Sequence, residues 1–273
     1  MNLLDRRDLR GKAKGLAPTD LLVRSLEAMD ASPITPRGLR QGYIPLADLA
    51  RRCPREIALS IKYGLVPISA GNSNQRIVWE LRRAAERHVR GQLAQVFHDL
   101  MEGSWVCLTC SREEDTRLEC CGRPMEYSEV ELASEGLRIT GHSDILMRSE
   151  RRGKVVPVEI KSIMKEGFKK LERPLGDHVR QLAGYWGLLG DRAEDYAVII
   201  YVSKDAVAAS PYLEYRVTRQ SLSTHWEQLQ ENAEAIWAMV EEDIPIGRLS
   251  VCPSSGTPTA KKCHACTLCF ATP

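Results

Sequence analysis

The period of the apolar positions changes several times along the chain, and each change marks an element. Residues 46–63 mix apolar and basic side chains at helical spacing. Residues 77–100 (IVWELRRAAERHVRGQLAQVFHDL) predict a long helix, with Gly91 as its only glycine and no proline. Alternation of period two follows. Within 128–149, SEVELAS and LRITGHSDILMRS read as two strands around a glycine turn, and KVVPVEIKSI reads as a third, rich in Val and Ile. Residues 178–189 return to helical spacing. YAVIIYVSK has the continuous apolar run of a buried strand, PYLEYRVTR is a further strand, and residues 222–242 predict a closing helix. This order predicts a mixed α/β core. Two stretches lack such periodicity, 105–127 and the tail from Pro245, and both are rich in cysteine.

The 273 residues allow one large domain or two small ones, with a core that needs no disulfides. A hydrophobic content of 43% with 27% charged residues excludes a mainly disordered chain. The longest apolar runs fall far short of the ~18 residues of a membrane span. The opening segment, MNLLDRRDLRGKAKG, has charges but no apolar core of a secretory signal. A cytoplasmic protein with no membrane association is therefore expected, and in that reducing setting short-spaced cysteines point to metal.

The net charge of +2 conceals a pattern. Residues 1–55 carry 11 basic and 6 acidic side chains, and residues 148–180 carry 10 and 5, whereas 113–135 and 227–243 are acidic. Two basic stretches could form a phosphate-binding groove, although on charge alone solvated helix faces are the simpler account.

The chemistry concentrates at Asp144 and at Glu159-Ile160-Lys161. Strand alternation puts Glu159 and Lys161 on one face, with Ile160 turned to the core. A hairpin through Arg151, Arg152 and Gly153 would bring Asp144 near Glu159. Two converging carboxylates suit Mg²⁺ or Mn²⁺, which prefer hard oxygen ligands, and Lys161 would position a water or stabilise charge on phosphate. By itself D…ExK is better read as a cross-strand ion pair on an exposed face, since such triplets are common by chance. Gln181 and Tyr185, four apart in RQLAGYWGLL, share a helix face.

The order strand, strand, helix with D, ExK and QxxxY resembles the PD-(D/E)XK nuclease superfamily, and more narrowly its RecB-like members. The resemblance implies a restriction-endonuclease-like α/β fold, a mixed sheet flanked by helices. It implies Asp144 and Glu159 as metal ligands together with the Ile160 carbonyl, Lys161 as catalytic lysine, and Gln181 and Tyr185 against DNA. It also implies a metal-ligating histidine on the long helix. His88 is that residue, although an alanine stands where the usual pattern has glycine. Glu86 or His98 could take its place, and His142, by alternation on the face of Asp144, is a weaker rival.

The nine cysteines divide into Cys53, a cluster of Cys107, Cys110, Cys120 and Cys121, and a tail group of Cys252, Cys263, Cys266 and Cys269. Cys53 in CPR with KKCHACTLCF at the end resembles the iron–sulfur branch of these nucleases, the CRISPR-associated Cas-four type and AddB-type domains. That implies a cluster, 4Fe–4S by type, on Cys53, Cys263, Cys266 and Cys269, with Cys252 as substitute. The terminal spacing departs from the family, so a closed zinc site on Cys252, Cys263, Cys266 and Cys269 is an alternative. His264 is incidental to either. The middle cluster, C-x2-C followed by CCGRPM, resembles the desulforedoxin-type knuckle and is assigned to structural Zn²⁺.

The expected organisation is a basic extension over 1–45 and a nuclease domain over 46–273. The domain is interrupted by the four-cysteine knuckle insertion at 104–127, and its 245–273 segment forms a Cys-rich clasp. The insertion should leave the core intact, and its acidic flanks favour a protein contact or lid over phosphate. The expected function is a metal-dependent exodeoxyribonuclease acting on single-stranded or overhanging DNA ends. Its partners would be CRISPR integration or recombination proteins. A catalytically silent DNA-binding adaptor, and a metalloregulator or redox protein built on the cysteines, are the competing readings.

Overall fold

The structure, a computed structural model, describes residues 42–65, 73–117, 119–149, 153–205 and 210–272, so most of the expected 1–45 extension lies outside the described residues. In chain order the elements are β1 (Ile44–Pro45), α1 (Leu46–Arg51), α2 (Pro54–Lys62), α3 (Ser73–Phe97), β2 (Met101–Glu102), β3 (Trp105–Val106), β4 (Glu113–Glu114), β5 (Glu119–Cys120), β6 (Arg123–Pro124) and β7 (Glu126–Tyr127). There follow β8 (Val130–Ser134), β9 (Ile139–Ser143), β10 (Ile145–Arg148), β11 (Val155–Ile163), α4 (Lys165–Lys169), α5 (Gly176–Leu189), β12 (Tyr196–Ser203), β13 (Tyr212–Thr218), α6 (Arg219–Glu241), α7 (Pro258–Lys262) and α8 (Cys266–Ala271). One compact unit comprises Leu39–Pro67 and Arg82–Pro273; of the other, Met1–Gly38 with Ile68–Leu81, the described residues are the first turns of α3.

The main sheet has five strands in the order β13-β12-β11-β10-β2. Only β11 and β12 run parallel, joined through α4 and α5; the other pairings are antiparallel. From Val155 to Ser162 every residue of β11 is buried, as expected of a central strand covered on both faces. Val156, Val158 and Ile160 pack with Val89 and Ala94 of α3, while Ala197, Ile199 and Tyr201 of β12 pack with Leu182 and Ala183 of α5. Glu159 and Lys161 pair in register with Ile199 and Tyr201, so they belong to the α5 face.

The expected strand LRITGHSDILMRS is interrupted. Its first half, β9, joins a second sheet of order β1-β9-β8, and its second half, β10, joins the main sheet, so the chain changes sheets at Asp144. The Ser143 hydroxyl donates to the Ile145 carbonyl at 3.1 Å across the break. The face alternation that put His142 beside Asp144 therefore does not hold: His142 is exposed and pairs in register with Glu131.

Helix α5 has two interior glycines that make room for neighbours. A Cβ on Gly184 would fall 2.2 Å from Leu46, and one on Gly187 would fall 2.1 Å from Trp226. Leu46 is fully buried there, so α1 is locked against α5 at the level of Tyr185.

Residues 104–127 are not a detachable insertion. Trp105 (1% exposed), Met125 and Tyr127 share one apolar cluster with Val156, Val158 and Ile160 of the main sheet. The Tyr127 hydroxyl accepts from the Leu146 amide at 3.2 Å and donates to the Glu102 carbonyl, stitching β2 to β10. The segment therefore packs on the main sheet beside α3, sharing that face with Val89 and Ala94. Among the described residues no helix is long and apolar enough to cross a membrane.

Candidate active site and metal centres

The register of the β10–β11 hairpin (Ile145 with Val158, Leu146 with Pro157), carried one step further, sets Asp144 opposite Glu159. Asp144 Oδ2 accepts the Ile160 amide at 2.7 Å. Its Oδ1 lies 3.3 Å from Arg90 of α3, which also reaches Glu129 at 3.0 Å. Glu159 is 2% and Lys161 3% exposed, and the two form a buried ion pair. Lys161 Nζ also donates to Gln181 Oε1 at 3.1 Å, and Gln181 Nε2 donates to the Tyr185 hydroxyl at 2.7 Å. Asp144, Glu159, Ile160, Lys161, Gln181 and Tyr185 thereby form one connected site.

Its electrostatics are those of crowded carboxylates. Burial, and then the charge of Glu159, push the Asp144 carboxyl well above its ordinary value, against the opposing pull of Lys161 and Arg90. Burial followed by Glu159 likewise raises the Tyr185 hydroxyl well above its usual range. Glu159 Oε2 is buried and accepts no hydrogen bond among the described residues. An anionic oxygen left so is costly unless a cation completes it, and this donor set of hard oxygens fits Mg²⁺ or Mn²⁺. Gln181 (6% exposed) and Tyr185 (2% exposed) are buried, so here they hold Lys161 rather than stand open to a substrate.

Helix α3 brings a different set of residues from the one expected. Arg82, Glu86 and Arg90 recur at four-residue spacing on one face: Arg82 pairs with Glu86 at 2.7 Å, and Arg90 reaches Asp144. His88, two positions and about 200° of helical turn from Glu86, is exposed and is not brought to the carboxylates. Glu86, the alternative, is on the appropriate side. His98 instead contacts Asp99.

The four knuckle sulfurs of Cys107, Cys110, Cys120 and Cys121 all lie within 4.8 Å of one another. A tetrahedral zinc–sulfur shell, with bonds of about 2.3 Å, requires sulfurs roughly 3.8 Å apart. Here Cys110 and Cys120 stand 3.5 Å apart, and Cys120 and Cys121 3.9 Å. Adjacent cysteines can both point inward because Cys121 (φ 52°) and Gly122 (φ 72°) form the two left-handed positions of the β5–β6 hairpin turn. Backbone amides of Cys110 and Thr109 lower the Cys107 thiol to about 6, which prepares one thiolate, whereas sulfur neighbours, Cys110 first, push Cys120 up to about 12.

The other five cysteines line one cavity of about 270 Å³ between α2 and the α7–α8 segment. Unlike the knuckle, no three of their sulfurs fall within 4.8 Å among the described residues. Cys53 is the N-cap of α2, with Pro54 at the first helical position, and Cys266 and Cys269 open α8 three residues apart. Burial raises both Cys53 and Cys263, the latter to about 11. His264 faces Glu56 (2.8 Å), Ser60 and Arg52.

Three arginines were not singled out in the sequence. Arg90 holds Asp144. Arg51 donates to Gln181 Oε1 at 3.1 Å and also lines the cysteine cavity, so it touches both centres. Arg55, 2% exposed, donates to the carbonyls of Ile246 (2.5 Å), Cys269 (3.3 Å) and Thr272 (2.8 Å). Only the CPR context of Arg55 was a signal; a surface arginine and one that clamps carbonyls look the same in sequence.

No protein-family model matches the chain, and no curated protein matches it. Among solved structures it is similar to the protein SSO0001, at 19% identity over 80% of this chain and 84% of that one, with a TM-score of 0.42. It is also similar to an alkaline exonuclease from Laribacter hongkongensis, at 12% identity over 75% of this chain and 91% of that one, with a TM-score of 0.41. The chain is a mixed α/β protein, its mixed sheet flanked by helices.

Proposed function

We propose that this chain is a metal-dependent DNA nuclease that trims single-stranded or overhanging ends, in the manner of the RecB-like and Cas-four nucleases its motifs resemble. The observation that carries this reading is the convergence of buried Glu159 with half-buried Asp144, Glu159 Oε2 lacking a partner among the described residues and Lys161 beside it. A degenerate adaptor would have no reason to retain an anionic oxygen buried and unbonded.

A divalent cation bound there would polarise a phosphoryl oxygen and acidify a coordinated water. Asp144 and Glu159 are its ligands, with the Ile160 carbonyl available to complete the shell and Glu86 better placed than His88 to assist. Asp144 must lose its proton before it can ligate. Lys161, held by Gln181, sets an ammonium where negative charge develops on phosphate. Gln181 and Tyr185 position that ammonium, and Arg90 fixes Asp144. Spacing supports different occupants for the two cysteine groups. The knuckle sulfurs suit one Zn²⁺, and the wider cavity group suits an iron–sulfur cluster, in which each cysteine binds a different iron. End processing in CRISPR spacer acquisition or in recombination are the pathways that fit such an enzyme.

Glu159→Gln keeps the volume and removes the charge. Cleavage of labelled single-stranded DNA in Mn²⁺ should fall roughly 10³-fold, about 4 kcal/mol of transition-state stabilisation. An unchanged rate would remove the assignment.

A further inference from the structure

Helix α3 and the knuckle enclose a groove of about 350 Å³ that lies outside the carboxylate site yet adjoins it. Four arginines line it: Arg87 and Arg90 from α3, Arg117 and Arg123 from the knuckle. Among the described residues its one acidic lining side chain is Glu126, whose carboxylate stands 3.9 Å from Arg87. Of the acidic residues in 113–135, Glu114 is engaged outside the groove by Arg112 at 2.7 Å, whereas Glu129 lies 3.0 Å from Arg90. Arg87 and Arg90 thus face carboxylates, and the excess positive charge of the groove rests on Arg117 and Arg123.

Gly91 lies in the groove, in the interior of α3. Unlike Gly184 and Gly187, whose Cβ positions are occupied by Leu46 and Trp226, a Cβ on Gly91 would meet nothing within 4 Å. With no side chain and nothing packed over it, Gly91 leaves room for a ligand backbone to approach the helix closely. Arg90 adds a second observation: its Nε is buried with no hydrogen-bond partner among the described residues, while its Nη2 reaches Asp144. Through Arg90 the groove adjoins Asp144.

We propose that this groove binds the phosphate backbone of a single-stranded polynucleotide and leads it to Asp144, so that the knuckle, besides covering the sheet, is half of the substrate channel. The proposal rests on the nuclease reading for its direction, since Asp144 is what the groove leads to. Guanidinium groups spaced along a cleft floored by glycine match a chain of phosphates. An acidic protein segment is the other occupant that such charge would accept.

The test is binding of a fluorescein-labelled oligodeoxythymidylate to the full chain, in buffer without added Mg²⁺ or Mn²⁺ and without chelator, by anisotropy over a range of salt. Arg87→Glu with Arg123→Glu should weaken binding at least tenfold. The same variant should make the salt dependence shallower by about 1.4, at about 0.7 per lost single-strand phosphate contact. Gly91→Leu, which fills the cleft without changing charge, should weaken binding about tenfold and leave the salt slope as it was. A thermal melt of each variant confirms folding. Wild-type affinity and slope in both folded variants would overturn the proposal, an acidic protein being then the occupant. Because leaving out Mg²⁺ and Mn²⁺ removes cleavage from the measurement, the two readings separate. A wild-type chain that binds through the groove but never cuts in Mn²⁺ defeats the nuclease assignment alone. A chain that cuts while both variants bind normally defeats the groove alone.

Discussion

The two cysteine groups use one residue type to opposite ends. In the knuckle, short loops and a left-handed hairpin turn bring four sulfurs into mutual contact before any metal is considered. In the tail group, four sulfurs of the 252–269 segment are joined by the remote Cys53, and the five line a cavity but keep apart. Local backbone geometry can prepare a site for one ion. A site assembled from distant segments leaves a space whose size must be set by what fills it. The difference shows why cysteine spacing was informative for the first group and ambiguous for the second.

Metal content breaks or sharpens this comparison most sharply. In anaerobically purified protein, Cys110→Ser should abolish bound zinc and leave iron in place, and Cys269→Ser should abolish iron and leave zinc. Elemental analysis of both proteins checks this, and zinc in both sites of the wild type would erase the distinction. A smaller effect falls on the packing beneath the knuckle. Trp105→Ala removes a side chain that is 1% exposed and should cost about 3–5 kcal/mol, seen as a shift of the urea unfolding midpoint, with the tail cysteines' metal retained. The smallest effect is common to both groups. Burial, and then Lys161, depress His178 to about 4, and its Nδ1 lies 2.9 Å from the Tyr201 hydroxyl. The neutral ring is favoured in the folded state. Its contribution is therefore complete above about 6.5, the unfolded value, and is lost as pH falls towards 4. Melting temperatures across that window should fall by the same increment in Cys110→Ser and Cys269→Ser, since neither site contacts His178.

Much of the fold was legible because its elements are strongly periodic. The long helix of α3, the buried run of β12 and the ExK strand β11 all form where the pattern puts them. Asp144 opposite Glu159 followed from a hairpin whose register strand alternation predicts. What alternation could not reveal was the change of sheet at Asp144, because two short strands in tandem look like one. It therefore misplaced His142. His88 was drawn from a motif position, whereas helix phase, which was equally available, favours Glu86 with Arg82 and Arg90. The role of 104–127 in the core was hidden because Trp105, Met125 and Tyr127 sit among polar residues and show no period.

Arg55 has a consequence for the order in which the chain folds. Its carbonyl partners lie 191, 214 and 217 residues further along. Until they arrive, its guanidinium has water as its natural partner, and the face of α2 that buries it cannot close. Closing so long a loop is entropically slow rather than prohibitive, since each doubling of length adds only about 0.6 kcal/mol. The first helices of the described chain should therefore be among the last to become protected. Pulse-labelling hydrogen exchange would then find residues 54–62 lagging behind the central strands, despite emerging from the ribosome before them.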